Sequence, residues 1–241
     1  MDSTEVDIKA VGENLAGASE RLSAAWDQLE GPVYGVETTP RQIAAALAQL
    51  FEVLGRWVEV EADPQGPGLD RLAGYGLRLI QQLAGSAALL EMAEVSHEVE
   101  LQAYPFGVWA ARHGAPIRLL DPVVNAVAFL ANHTTEPDDL QRLFKGISEI
   151  LEAVDPEIRG DLEAGGPWRL LLLNRAIVAT RSHQPDLMEA AFAAVVRYLP
   201  DDASRFFSEG MEQMDLLDYP SHVRRVMQRY FDRWGAGQRV H

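Results

Sequence analysis

Six prolines stand where apolar-periodic runs begin: Thr39-Pro40, Asp121-Pro122, Glu136-Pro137, Asp155-Pro156, Gln184-Pro185 and Tyr219-Pro220. Proline is tolerated in the first turn of a helix, where its missing N–H would be unpaired anyway. It also steers the residue before it away from helical backbone. A proline at the head of an apolar-periodic run therefore marks a helix start. Near Pro137, Thr135 with Asp138 three residues on predicts a reciprocal cap, and the acids there complement the helix dipole.

The prolines also recur. The separations 122 to 156, 167 to 200 and 185 to 220 are 34, 33 and 35 residues, the length of one two-helix unit in an α-solenoid. The Trp-Leu-Gly-Tyr pattern of tetratricopeptide repeats is absent, so the likeness is to an architecture of stacked helical hairpins, as in HEAT repeats. The expected fold is all-α, built of antiparallel helical hairpins, with a bundle-like N-terminal part and a solenoid-like C-terminal part. Helices are predicted at 4–29, 40–62, 68–94, 105–113, 118–132, 137–153, 167–182, 185–198, 202–216 and 221–234.

One stretch resists this reading. In "VSHEVELQA", Val95, His97, Val99, Leu101 and Ala103 alternate with polar residues, and period two is a strand signal. It predicts an extended connector over 96–104, or half of a small ribbon with residues 33–37. The expected organisation is a long-helix bundle at 1–95 and short helix pairs at 105–241, with one continuous domain as the alternative.

Composition narrows the chemistry. The 241 residues include no cysteine, which removes disulfides, thiolate catalysis and Cys-ligated metals. The net charge is −15, unevenly spread: residues 1–100 hold 17 acids and 6 bases, 101–218 hold 18 and 10, and 219–241 hold one acid and five arginines. An acidic body argues against general nucleic-acid binding, which needs cationic surface. The start, "MDSTEVDIKAVGENL", lacks the pattern of a signal peptide. The most apolar windows are broken by Arg or Gln and fall short of a membrane span. A cytoplasmic location and no membrane partner are expected.

Catalytic signatures are sparse. There is no G-x-S-x-G, P-loop or G-x-G-x-x-G after a strand. Glu94 and His97 have the Glu-x-x-His spacing of helical di-iron sites, with Glu59 and Glu61 as further oxygen ligands, but the second such pair is missing. The alternative is a solvated glutamate and an interface histidine. His113 ends a predicted helix and His133 and His183 follow two others, places where a histidine favours the dipole. Glycines 74, 76 and 85 read as small residues that let helices approach. In the terminal run, Val223, Val226, Met227, Tyr230, Phe231 and Trp234 fall on one face and arginines on the other.

The segment "PWRLLLLNRAIVATR" carries the sharpest question. Its leucines, alanines, Ile177 and Val178 leave no polar face, which predicts a helix buried all round. Asn174 and Arg175 then need partners, because desolvating a guanidinium costs several kcal/mol unless acceptors surround it. Asp121, Asp161 and Asp186 are the candidates. Arg175, Asn174 and Asn125 either close a polar network that fixes helix register, or line a cleft where Arg175 captures a carboxylate or phosphate. Arg181, at the end of the segment, joins them as a ligand- or partner-contacting residue. The expected function is a non-enzymatic protein–protein interaction or adaptor module without cofactor. The alternative is a helical small-anion or metal-dependent protein using Arg175 or the Glu94/His97 pair.

Overall fold

A computed structural model describes residues 6–29, 37–59, 68–159 and 166–235. The fold is all-α. In chain order the helices are α1 (Ile8–Trp26), α2 (Pro40–Glu59), α3 (Leu69–Leu89), α4 (Ala93–Leu101), α5 (Ala103–Arg112), α6 (Asp121–His133) and α7 (Pro137–Ala153). After a 3-10 turn at Pro156–Ile158 come α8 (Pro167–Arg181), α9 (Pro185–Tyr198), α10 (Pro200–Leu216), α11 (Ser221–Tyr230) and a π turn at Phe231–Gly235. Prolines 40, 137, 167, 185 and 200 are each the first residue of their helix.

The reciprocal cap forms elsewhere than expected. At α2, the Thr39 backbone N–H donates to Gln42 Oε1 (2.9 Å) and the Gln42 N–H reaches Thr39 Oγ1 (3.4 Å). At α7 the residue before the first helical one is Glu136, so Thr135 stands one position too early to cap.

The extended connector at 96–104 is a correction: this stretch is helical, running through α4 into α5. Positions 95, 99 and 103 belong to a period-two series and equally to an i, i+4, i+8 helical stripe. The helix wins because Val95, Val99 and Ala103 bury together, at 6%, 0% and 0% exposure. The break comes earlier, where α3 ends at Leu89 and Glu91 takes a left-handed φ of 55°. The ribbon partner at residues 33–36 and the ends of the first two predicted helices at 4–5 and 60–62 lie outside the described residues. Among those described, the strand-like feature is an isolated parallel bridge between Ile117 and Val154.

The chain divides into two compact units, residues 1–127 with 152–158, and residues 128–151 with 159–241. In the first, α1 packs on α2, α3, α4 and α5, and Leu15, Leu22, Leu54, Leu77, Ile80 and Phe106 are fully buried. Gly76 admits Phe106, whose ring also meets Phe51 edge-on at 6.1 Å. Arg118 donates to Asp155 at 2.7 Å, and Asp155 accepts the Glu157 N–H that starts the 3-10 turn.

In the second unit, α9 packs on α8, α10 and α11, and α10 on α11. Phe192 and Phe207 meet edge-on at 5.2 Å, with Tyr230 5.1 Å from Phe192. Arg169 on α8 makes a two-pronged pair with Asp202 on α10, at 2.7 and 2.5 Å. Val223, Val226 and Met227 of α11 are buried as their spacing predicts. Phe231 and Trp234 are only half-buried, because the wider π turn shifts the phase of the stripe beyond Tyr230.

Candidate functional site

The site grows from α8. Leu171, Leu172, Ala176, Val178 and Ala179 are buried. A second strip, Leu170, Asn174, Ile177 and Arg181, is only partly covered, and Ile177 is 37% exposed. The expectation of a helix buried all round is therefore corrected. Its composition is apolar on every face, but the Ile177 strip opens onto a cleft.

That cleft, of about 550 Å³, lies within the second unit. Ile177, Thr180 and Arg181 of α8 form one wall, Phe206, Gly210 and Met214 of α10 another. Leu217 and Tyr219 from the α10–α11 connection, with Met227 of α11 and Asn132 of α6, complete it. Gly210 is a true close approach: a Cβ there would stand 2.7 Å from Met227 Cε. Leu217 is 52% exposed and its neighbour Leu216 75%. Acids mark one rim, Glu209 and Glu212, and Arg181 the other.

Several polar groups around the cleft are engaged. Arg181 donates to the Ala131 carbonyl at the end of α6, closing that helix with a cation. The Asn132 amide donates to Ala128 O at 2.8 Å. His183 follows α8 with a left-handed φ of 56°, its ring edge-on to Tyr219 at 5.3 Å, and its carbonyl lies 3.1 Å from His222 Nε2. Burial, with His222 nearby, holds the His183 imidazole below its usual pKa. Burial pushes the Tyr219 phenol up, partly offset by Arg181.

The other expected residues are not part of the cleft lining. Arg175 is half-buried. Its Nε donates to Ser148 Oγ at 2.8 Å, its Nη1 lies 3.4 Å from the Ala190 carbonyl, and its guanidinium carbon sits 4.3 Å from the Phe144 ring centroid. It thus joins α7, α8 and α9. Asp161, one of its three expected partners, lies outside the described residues. Asn174, also half-buried, makes no hydrogen bond among the described residues. Asn125 is exposed and belongs to the first unit. Its place on α6 explains this: Val123, Val124, Ala126 and Val127 take the core positions around it.

Glu94 is exposed on α4 and His97 half-buried. Among the described residues no group of three or more His, Asp and Glu side chains could hold a metal. Glu61 and the Glu59 side chain lie outside the described set. His113 and His133 each place Nδ1 2.8 Å from the carbonyl four residues back and stack on Trp109 and Phe129. Gly114 follows His113 with φ 75°. These histidines end helices.

No family model, curated protein or solved structure matches this chain.

The cleft therefore speaks through its own chemistry. It pairs apolar, adaptable surface with charged rims, a combination suited to receiving side chains of a partner. Sequence reasoning missed its α10 wall. The signal was present: Phe206, Gly210 and Met214 recur every four residues, and "MDLLDYP" puts two leucines where α10 ends, Leu216 as its last residue and Leu217 just after it.

Proposed function

We propose that this chain is a protein–protein interaction module whose second unit receives an amphipathic helix of a partner protein in the cleft between α8 and α10. The supporting observation is the conjunction of a cleft of about 550 Å³ with Ile177 and Leu217 left 37% and 52% exposed at its edge. A small ligand seated in the cleft would leave the Leu216–Leu217 edge wet. A helix laid along it would cover that edge, with anchors at i, i+3 or i+4, and i+7. Met214 and Met227, buried at 1% exposure beneath the cleft, have unbranched, flexible side chains that can repack around such anchors. Glu209 is paired with Arg205 on its own helix, and Glu212 beside it favours basic residues flanking the apolar face of the incoming helix. No helix among the described residues is long and apolar enough to cross a membrane, and the acidic body disfavours a nucleic-acid partner.

Selection from a displayed library of helix-forming peptides tests this. Enriched sequences carry apolar residues at helical spacing with Lys or Arg beside them. Their binding falls at least about tenfold, roughly 1.4 kcal/mol, in Ile177→Glu and Leu217→Glu variants that melt as the parent does. Absence of enrichment, or equal binding by both variants, contradicts the reading.

A further inference from the structure

The C-terminal arginines remain unused by this reading. Arg225, Arg229 and Arg233 repeat every four residues along α11 and the π turn, so they form one row. They line a shallow hollow together with Gln228 and Asp232. Beside it, a second cavity of about 440 Å³ lies between α9 and α11. Ala193 and Val196 give it an apolar floor, Tyr230 and Trp234 aromatic walls, and Arg197, Arg229 and Arg233 a cationic mouth. It shares no residue with the cleft between α8 and α10.

The charges in this cavity are not balanced from within. Glu189 is taken up by Arg229 and by the Tyr230 hydroxyl, which donates to it at 3.0 Å. Arg197 and Arg233 lie instead against aromatic rings, 5.1 Å from the Tyr198 centroid and 5.5 Å from that of Trp234. Neither these two nor Arg225 has a carboxylate partner among the described residues, in a chain with 36 acids to 21 Lys and Arg. Guanidinium groups present planar, paired donors that match a carboxylate with two parallel hydrogen bonds.

We propose that the Arg197–Arg229–Arg233 cavity, with Trp234 at its edge, binds an acidic peptide segment of a protein partner, one apolar side chain entering between α9 and α11 and flanking carboxylates pairing with Arg197 and Arg233. The occupant is set by charge and shape. The cation row is the exception on an acidic body, so a long polyanion or an anionic membrane would meet repulsion beyond the patch. A short acidic segment needs only the patch. A concave apolar floor suits one inserted side chain better than a flat lipid surface.

The experiment uses the full chain and a fluorescein-labelled twelve-residue peptide of Glu and Asp around a central Leu, read by fluorescence anisotropy. Saturable binding is expected, at least about tenfold tighter than to the same peptide with Ser in place of the acids. It weakens as salt rises, since the pairing lies at the surface. Double substitution Arg197→Glu with Arg233→Glu abolishes it; both side chains are exposed, so the melting curve stays that of the parent. Trp234→Ala weakens it without touching the charges. Leu217→Glu leaves it intact, which separates this site from the cleft of the proposed function. Equal binding of the Ser peptide, binding unchanged by the double substitution, preference for a DNA oligonucleotide or phosphatidylserine vesicles, or self-association lost with the same arginines would each overturn it.

Discussion

The guanidinium carbon of Arg175 stands 4.3 Å from the centroid of the Phe144 ring, so a cation from α8 packs on an aromatic of α7. With Ser148 and the Ala190 carbonyl also in reach, the arginine ties three successive helices of the second unit. This is a structural strut, outside the cleft lining. Arg175→Ala should destabilise the second unit by about 2–4 kcal/mol, the sum expected of a lost cation–π contact and a charged hydrogen bond. Arg175→Lys should recover only part, since an ammonium cannot stack as a planar group does. Urea unfolding followed by circular dichroism reads both. Unchanged stability in Arg175→Ala would contradict the strut.

Three glycines of α3 look equivalent in sequence and are not in structure. A Cβ on Gly76 would stand 2.4 Å from Phe106 Cζ, and that ring is fully buried and wedged against Phe51. Gly74 and Gly85 face nothing within 4 Å. Gly74→Ala and Gly85→Ala should each stabilise by about 0.5–1 kcal/mol through helix propensity alone. Gly76→Ala gains the same propensity but overpacks the core, and should lose about 1–3 kcal/mol. Denaturant midpoints of the three variants settle the order. A stabilised Gly76→Ala would contradict the close approach.

Acid should weaken the tie between α8 and α10. The paired hydrogen bonds from Arg169 hold the Asp202 carboxyl below the ordinary aspartate range, with burial opposing. The two side chains are only 18% and 24% exposed, so solvent screens the pair weakly. Because the folded-state pKa is depressed, the contribution is fully present above the unfolded aspartate value. It is lost as pH falls through the folded one. Asp202→Asn should therefore be less stable than the parent near neutral pH, by about 1–3 kcal/mol. The gap should shrink as the pH falls below the ordinary aspartate range and through the folded-state value. A gap independent of pH would contradict the pairing.

Much of the fold was legible because proline acts locally: α7, α8 and α9 begin at the residues where proline fixes the backbone. The stretch 95–103 misled because Val95, Val99 and Ala103 satisfy both a strand and a helix period, and only burial chooses between them. The site was less legible. Arg175 and Asn174 stood out by being polar within an apolar run, but a residue can be unusual because it braces helices. The cleft is lined by Ile177, Phe206, Met214 and Leu217, ordinary apolar residues, and its significance lies in Ile177 and Leu217 being left uncovered. No periodicity reports that. Arg181 was the one expected site residue that reaches the cleft, and there it closes α6.

The central claim is that the cleft between α8 and α10 holds a partner's helix. Methionine methyl NMR tests it directly, since Met214 and Met227 line the cleft while Met188 is buried in α9 and Met92 lies in the first unit. On titrating a library-selected amphipathic peptide into the full chain, the Met214 and Met227 methyl signals should move together and saturate. Those of Met188 and Met92 should stay in place, and Leu217→Glu should abolish the shifts. Shifts confined to other methionines, or none despite measured binding, would contradict the account.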